Sequence, residues 1–78
     1  MTFNVVYLNN DNDIFLKKCA FVKRLQKDGV LFNDRLISPR TGIIFITVSE
    51  SKAREIIAAN KDLLKLHDTG TKQAIVIA

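Results

Sequence analysis

Two side chains in this sequence have the chemistry of a nucleophile and a general base, Cys19 and His67, and each is the single residue of its kind. A reactive cysteine needs its thiolate stabilised by a helix N-terminus, a cation or a metal. A nucleophile–base pair also needs a third group to orient the base. Cys19 falls midway along an expected helix. His67 falls near the expected end of another, where the helix dipole favours a protonated imidazole. Packing would have to bring the two together, and no third group is indicated. One cysteine and one histidine cannot build a zinc site, and one cysteine cannot close a disulfide within the chain. Asn9, Asp11 and Asp13 place oxygen ligands at the alternating positions that open a calcium loop. That loop requires a glycine and, later, a bidentate glutamate where Ile14 and Ala20 stand. The acidic cluster therefore reads as a turn and a helix cap. The three glycines are too scattered for a phosphate-cradling loop. The expectation is a protein with no catalytic residue, metal or cofactor, one that works by binding.

Charge indicates what could be bound. Twelve Lys and Arg against eight Asp and Glu leave a net charge of +4, which suits an acidic protein surface or nucleic acid. The candidate cations are Lys17, Lys23, Arg24 and Lys27 on one side of a helix, and Arg40 in a turn. The opening residues MTFNVVYLNN carry no positive charge before their apolar run, unlike a signal peptide. No apolar run approaches the ~18 residues of a membrane span. A lone cysteine fits a reducing compartment, so a cytoplasmic protein without membrane contact is expected. At 78 residues, one domain over 1–78 is expected.

The elements that must present these groups follow from periodicity. Thr2 to Leu8 reads as a strand. The Asn9–Asp13 cluster then caps a helix over Ile14 to Lys27, whose broad apolar side holds Ile14, Phe15, Cys19, Phe21, Val22 and Leu25. Lys18 falls inside that stripe as a misfit. Asp28-Gly29 ends the helix. Val30 to Ile37 reads as an edge strand made irregular by Asn33-Asp34-Arg35, and Ser38-Pro39-Arg40-Thr41-Gly42 as a hairpin turn. Gly42 to Val48, apolar on both faces and rich in β-branched residues, reads as a central strand. Ser49-Glu50-Ser51 caps a second helix. Its periodicity continues past Asn60 to about His67, with a stop at Asn60 as the alternative. Asp68 to Thr71 reads as a turn, and Gln73 to Ala78 as the last strand.

The order strand, helix, strand, strand, helix, strand is the ferredoxin-like split βαβ pattern. The expected fold is an α+β two-layer sandwich: a four-stranded sheet with both helices on one face. Two helices leave the other sheet face bare. If Val6, Leu8, Ile44, Ile46 and Val48 meet the helices, then Phe3, Val5, Tyr7, Ile43 and Phe45 look outward as an apolar docking surface. The last strand, without charge or proline, would be an exposed edge inviting another strand. A partner protein is expected, either a second copy or an acidic protein surface, with nucleic acid as the alternative.

That alternative also rests on a resemblance. Val6-Tyr7-Leu8-Asn9-Asn10 resembles the first-strand signature of RNA-recognition-motif domains, with an aromatic second residue and an Asn fifth. Gly42-Ile43-Ile44-Phe45-Ile46-Thr47-Val48 is similar to their third-strand signature. Phe45 matches one aromatic position. Ile43 and Val48 stand where two further aromatics would be, and Thr41 where a basic residue would be. The resemblance implies single-stranded RNA on the sheet face, with Tyr7 and Phe45 stacking on bases and Arg40, Arg35 or Lys72 near phosphates.

Overall fold

The computed structural model of the protein describes residues 2–68, 70 and 73–78. Seven elements follow in order: β1 (Thr2–Leu8), α1 (Asn12–Lys27), β2 (Leu31–Leu36), β3 (Thr41–Thr47), α2 (Glu50–Ala59), β4 (Leu64–Asp68) and β5 (Gln73–Ile77). The extents are 31 × 31 × 22 Å, those of a slab. No helix among the described residues is long and apolar enough to cross a membrane.

Local chemistry sets the helix ends. Asp11 caps α1, its carboxylate accepting from the Ile14 N–H at 3.1 Å. At the other end Gly29 takes a positive φ of 70°, with Gly29 N–H bonding Gln26 C=O and Val30 N–H bonding Leu25 C=O. That paired closure satisfies carbonyls the helix leaves open, and only glycine enters it without strain. Ser49 caps α2, accepting from the Lys52 N–H at 3.2 Å. In the β2–β3 hairpin, Ser38 Oγ accepts from the Arg40 and Thr41 N–H groups at 3.3 and 3.1 Å, holding the turn tight.

The sheet has five strands, in the order β2-β3-β1-β5-β4, where four were expected. The difference arises after α2. The helix stops at Ala59 because Asn60 turns its own side chain back, Nδ2 donating to Ile56 C=O at 2.7 Å. The Asn60 C=O then accepts from both Leu63 and Leu64 N–H, reversing the chain. Leu64 to Asp68 is therefore a strand and not the continuation of α2 to His67. β4 and β5 pair antiparallel, and β5 lies parallel to β1. The crossover β3–α2–β4 thus lands one place further out, and the return strand fills the gap beside β1. The uncharged strand Gln73–Ile77 is not an edge, which corrects the expectation of a free last strand. β4, with Lys65, His67 and Asp68, shields it, and charged residues of this kind protect a sheet rim. The turn expected over Asp68 to Thr71 lies partly outside the described residues.

β2 pairs with β3 along its whole length without a bulge. The core lies between sheet and helices. Val5 and Tyr7 of β1, Ile44 and Ile46 of β3, Leu64 of β4 and Ile77 of β5 pack with Phe21 and Leu25 of α1 and Ile56 of α2. Both helices therefore cover one face of the sheet, and this architecture is α+β.

Candidate functional site

Strand register orders the face away from the helices. Val5 lies opposite Ile44 and both are fully buried, so their neighbours Val6 and Ile43, also paired, point the other way. Val6 is in turn beside Val76 of β5, Ile43 beside Arg35 of β2, and Val76 beside Lys65 of β4. One row across the sheet therefore reads Arg35, Ile43, Val6, Val76, Lys65. The adjacent row centres on Phe45, flanked by Asn33 of β2 and Asn4 of β1, with Ala74 and His67 further along. Leu8 and Leu31 add exposed aliphatic surface at the margins, 55% and 74% accessible. The centre is apolar and half-buried by its own neighbours, and no helix covers it.

This arrangement corrects part of the expected surface. Ile43 and Phe45 are on the open face. Val5 and Tyr7 are not: both are buried under the helices, and Phe3, on the same side of β1, packs against that core. The phase of β1 is the reverse of the expected one, so Val6 and Leu8 face outward in their place. The alternation Thr2, Asn4, Val6, Leu8 against Phe3, Val5, Tyr7 carried a usable signal. Two polar residues sit on the first set and none but the Tyr7 hydroxyl on the second. Asn4 and Asn33 complete the open face, and neither is singled out for it by the sequence pattern.

The inward orientation of Tyr7 has its own machinery. Tyr7 lies across β3 at Gly42, its pairing partner, where any Cβ would overlap the phenol ring. Its hydroxyl donates to Asp34 Oδ1. Lys18 Nζ meets Asp34 Oδ2 at 3.1 Å and stands 4.9 Å from the Phe15 ring centre and 5.5 Å from that of Tyr7. Lys18, the misfit on the apolar side of α1, and Asp34, the polar residue inside β2, thus satisfy each other at the rim of the core. Burial, then the hydrogen bond to Asp34 and its charge, keep the Tyr7 phenol protonated well above its ordinary range. Held so, Tyr7 is a hydrogen-bond donor and not a base.

The basic helix side is divided. Lys23 and Lys27 are exposed and Lys17 half-buried. None of the three makes an ion pair among the described residues. Arg24 is engaged differently: its guanidinium grips Asp62 bidentately at 2.9 and 2.8 Å and donates to Asn60 Oδ1 at 2.9 Å. The hydrogen bond to Asp62 raises the Arg24 pKa, and the same bond lowers that of Asp62. Arg24 therefore clamps the turn after α2 and does not stand free for a partner. An open groove between the helices is lined by Arg24, Lys27, Asp28, Lys52, Glu55 and Asp62, its signs balanced. Lys52 bridges it to Asp28 at 2.6 Å. Arg40 is exposed in the hairpin turn, and Lys72 lies outside the described residues. Cys19 belongs to α1, on the helix side, whereas His67 alternates outward from β4, so the sheet separates them.

No protein-family model, curated protein or solved structure significantly matches the chain.

Proposed function

We propose that this is a non-catalytic binding and regulatory protein that associates with a second copy of itself through the open sheet face. The observation that carries the reading is the uncovered row Ile43, Val6, Val76 with Phe45 beside it. Burying such side chains gains about 25 cal/mol per Å² removed from water. The face spans five strands about 4.8 Å apart, on the order of 20 Å across, which suits a small reversible interface below the roughly 800 Å² per partner of a standard one. Two sheets stacked face to face, about 10 Å apart, form the core of a sandwich. The separation of Cys19 from His67 favours binding over catalysis. A reducing, cytoplasmic setting suits the free Cys19 thiol.

Sedimentation velocity over a micromolar concentration range tests this. The expected result is a reversible dimer, abolished by Ile43→Asp with the circular dichroism spectrum retained. A monomer at every concentration, or a dimer indifferent to Ile43→Asp, overturns the proposal.

A second reading, single-stranded RNA on the same face, is favoured by Phe45 between two asparagines, an aromatic platform flanked by amides. The loss of Tyr7 to the core leaves it one stacking residue. RNA binding falls steeply with salt, whereas an apolar dimer with cationic margins tightens as salt screens the repulsion. A salt titration thus separates the two readings by sign.

A further inference from the structure

The two margins of the open face share a property that the apolar centre does not explain. Arg35, on the edge strand β2, and Lys65 and His67, on the edge strand β4, all point outward. Of the strand carboxylates, Asp34 and Asp68 alternate to the helix side, and Asp34 is already engaged by Tyr7 and Lys18. The outward positions of the described strands therefore contain no carboxylate. Arg35, Lys65 and His67 are exposed and make no ion pair among the described residues.

Consider two such faces stacked. A two-fold axis between them must lie in the interface plane. If it runs along the strands, it puts β2 of one copy over β4 of the other. If it runs across them, it puts each edge strand over its own equivalent. In both cases cations face cations at each margin, across a sheet spacing of about 10 Å. Arginine and lysine side chains are long enough to converge from both sheets on one group between them. No carboxylate on the outward strand positions competes for that place.

We propose that self-association creates an anion site at each margin of the stacked sheets, built from Arg35 and Lys65 and selective for phosphate-type anions. The inference rests on the dimer reading above. Each site is incomplete in one copy, so a phosphate group binds the dimer in preference to the monomer. By linkage it then strengthens association. Guanidinium suits this role because its fork of donors matches two phosphate oxygens at once. The anion acts as a control on assembly: the like charges that oppose stacking become the ligands once it is present.

The test is sedimentation velocity on the full chain in sodium chloride and in inorganic phosphate at matched ionic strength. Phosphate is expected to lower the dimer Kd about tenfold, within the usual range for coupled binding. Arg35→Gln with Lys65→Gln should dimerise more tightly than the parent in chloride and lose the response to phosphate. A dimer in chloride that phosphate does not tighten overturns the anion site and leaves the dimer standing. A phosphate response that survives the double substitution overturns the assignment to these residues. A monomer in both salts overturns the dimer reading itself.

Discussion

The two faces of one sheet are built by opposite rules. On the helix side, the polar groups near the core have dedicated partners: Tyr7 has Gly42 beneath it and Asp34 at its hydroxyl, and Asp34 has Lys18. On the open side, Ile43, Val6 and Val76 stand side by side in the strand register with Phe45 in the next row, and Arg35 and Lys65 make no ion pair among the described residues. The first face spends its polar groups on internal specificity, since a buried network tolerates no missing member. The second keeps its groups available. The contrast separates residues committed to folding from residues that a single copy leaves uncovered.

Substitutions at adjacent residues of β3 would break this comparison most directly. Ile44→Ala, on the helix side, is expected to cost about 2–5 kcal/mol of unfolding free energy. Ile43→Ala, one residue away, should cost under about 1 kcal/mol in urea denaturation at a concentration where the chain is monomeric. Equal losses would mean that the open face is covered within one copy. Gly42→Ala should lower stability by about 1–3 kcal/mol through overpacking against Tyr7. Its signature is a change in tyrosine near-ultraviolet dichroism, and an unchanged signal would deny the close approach.

Tyr7→Phe sharpens the comparison at a smaller scale, with an expected loss of about 1–1.5 kcal/mol at neutral pH from the missing hydrogen bond. The same variant carries a pH test. The folded pKa of Tyr7 lies above its unfolded value of 10.0, so the folded state holds the proton after the unfolded state has released it. The contribution is therefore present below pH 10 and falls above it, by at most about 1.4 kcal/mol per pH unit. The parent should lose stability above pH 10 more steeply than Tyr7→Phe, as measured by denaturant titration at each pH. Parallel curves would mean that the phenol ionises freely. The smallest effect is expected at Asp62→Ala, a slight loss of stability that salt reduces further, because the Arg24–Asp62 pair is exposed. A larger loss would show that the clamp on the α2–β4 turn is needed for β4 to form.

Much of the architecture could be read before any coordinates. The cap at Asp11, the glycine closure after α1, the Ser38 turn and the cap at Ser49 each depend on a few neighbouring residues. Their signals are therefore local. The strand β3 was legible too, because the run is too short and too β-branched for a helix. Of the candidate site, Ile43 and Phe45 lie on the open face as expected, whereas Val5, Tyr7 and Phe3, expected beside them, lie on the core side. Lys18 could be seen as an anomaly but not explained, since its partner Asp34 lies sixteen residues away.

The sequence by itself determined the capping segments before both helices, the turns after α1 and β2, and the existence of a sheet too large for two helices to cover on both sides. Only the tertiary structure decided which way β1 faces: Thr2 and Asn4 mark one side as the more polar, but the seat of Tyr7 over Gly42 and against Asp34 is built by residues distant along the chain. It also decided that Leu64 to Asp68 is a strand, because leucines spaced for a helix take whichever form satisfies the open edge of β5. Both outcomes depend on partners distant along the chain, and such pairings cannot be read from local periodicity.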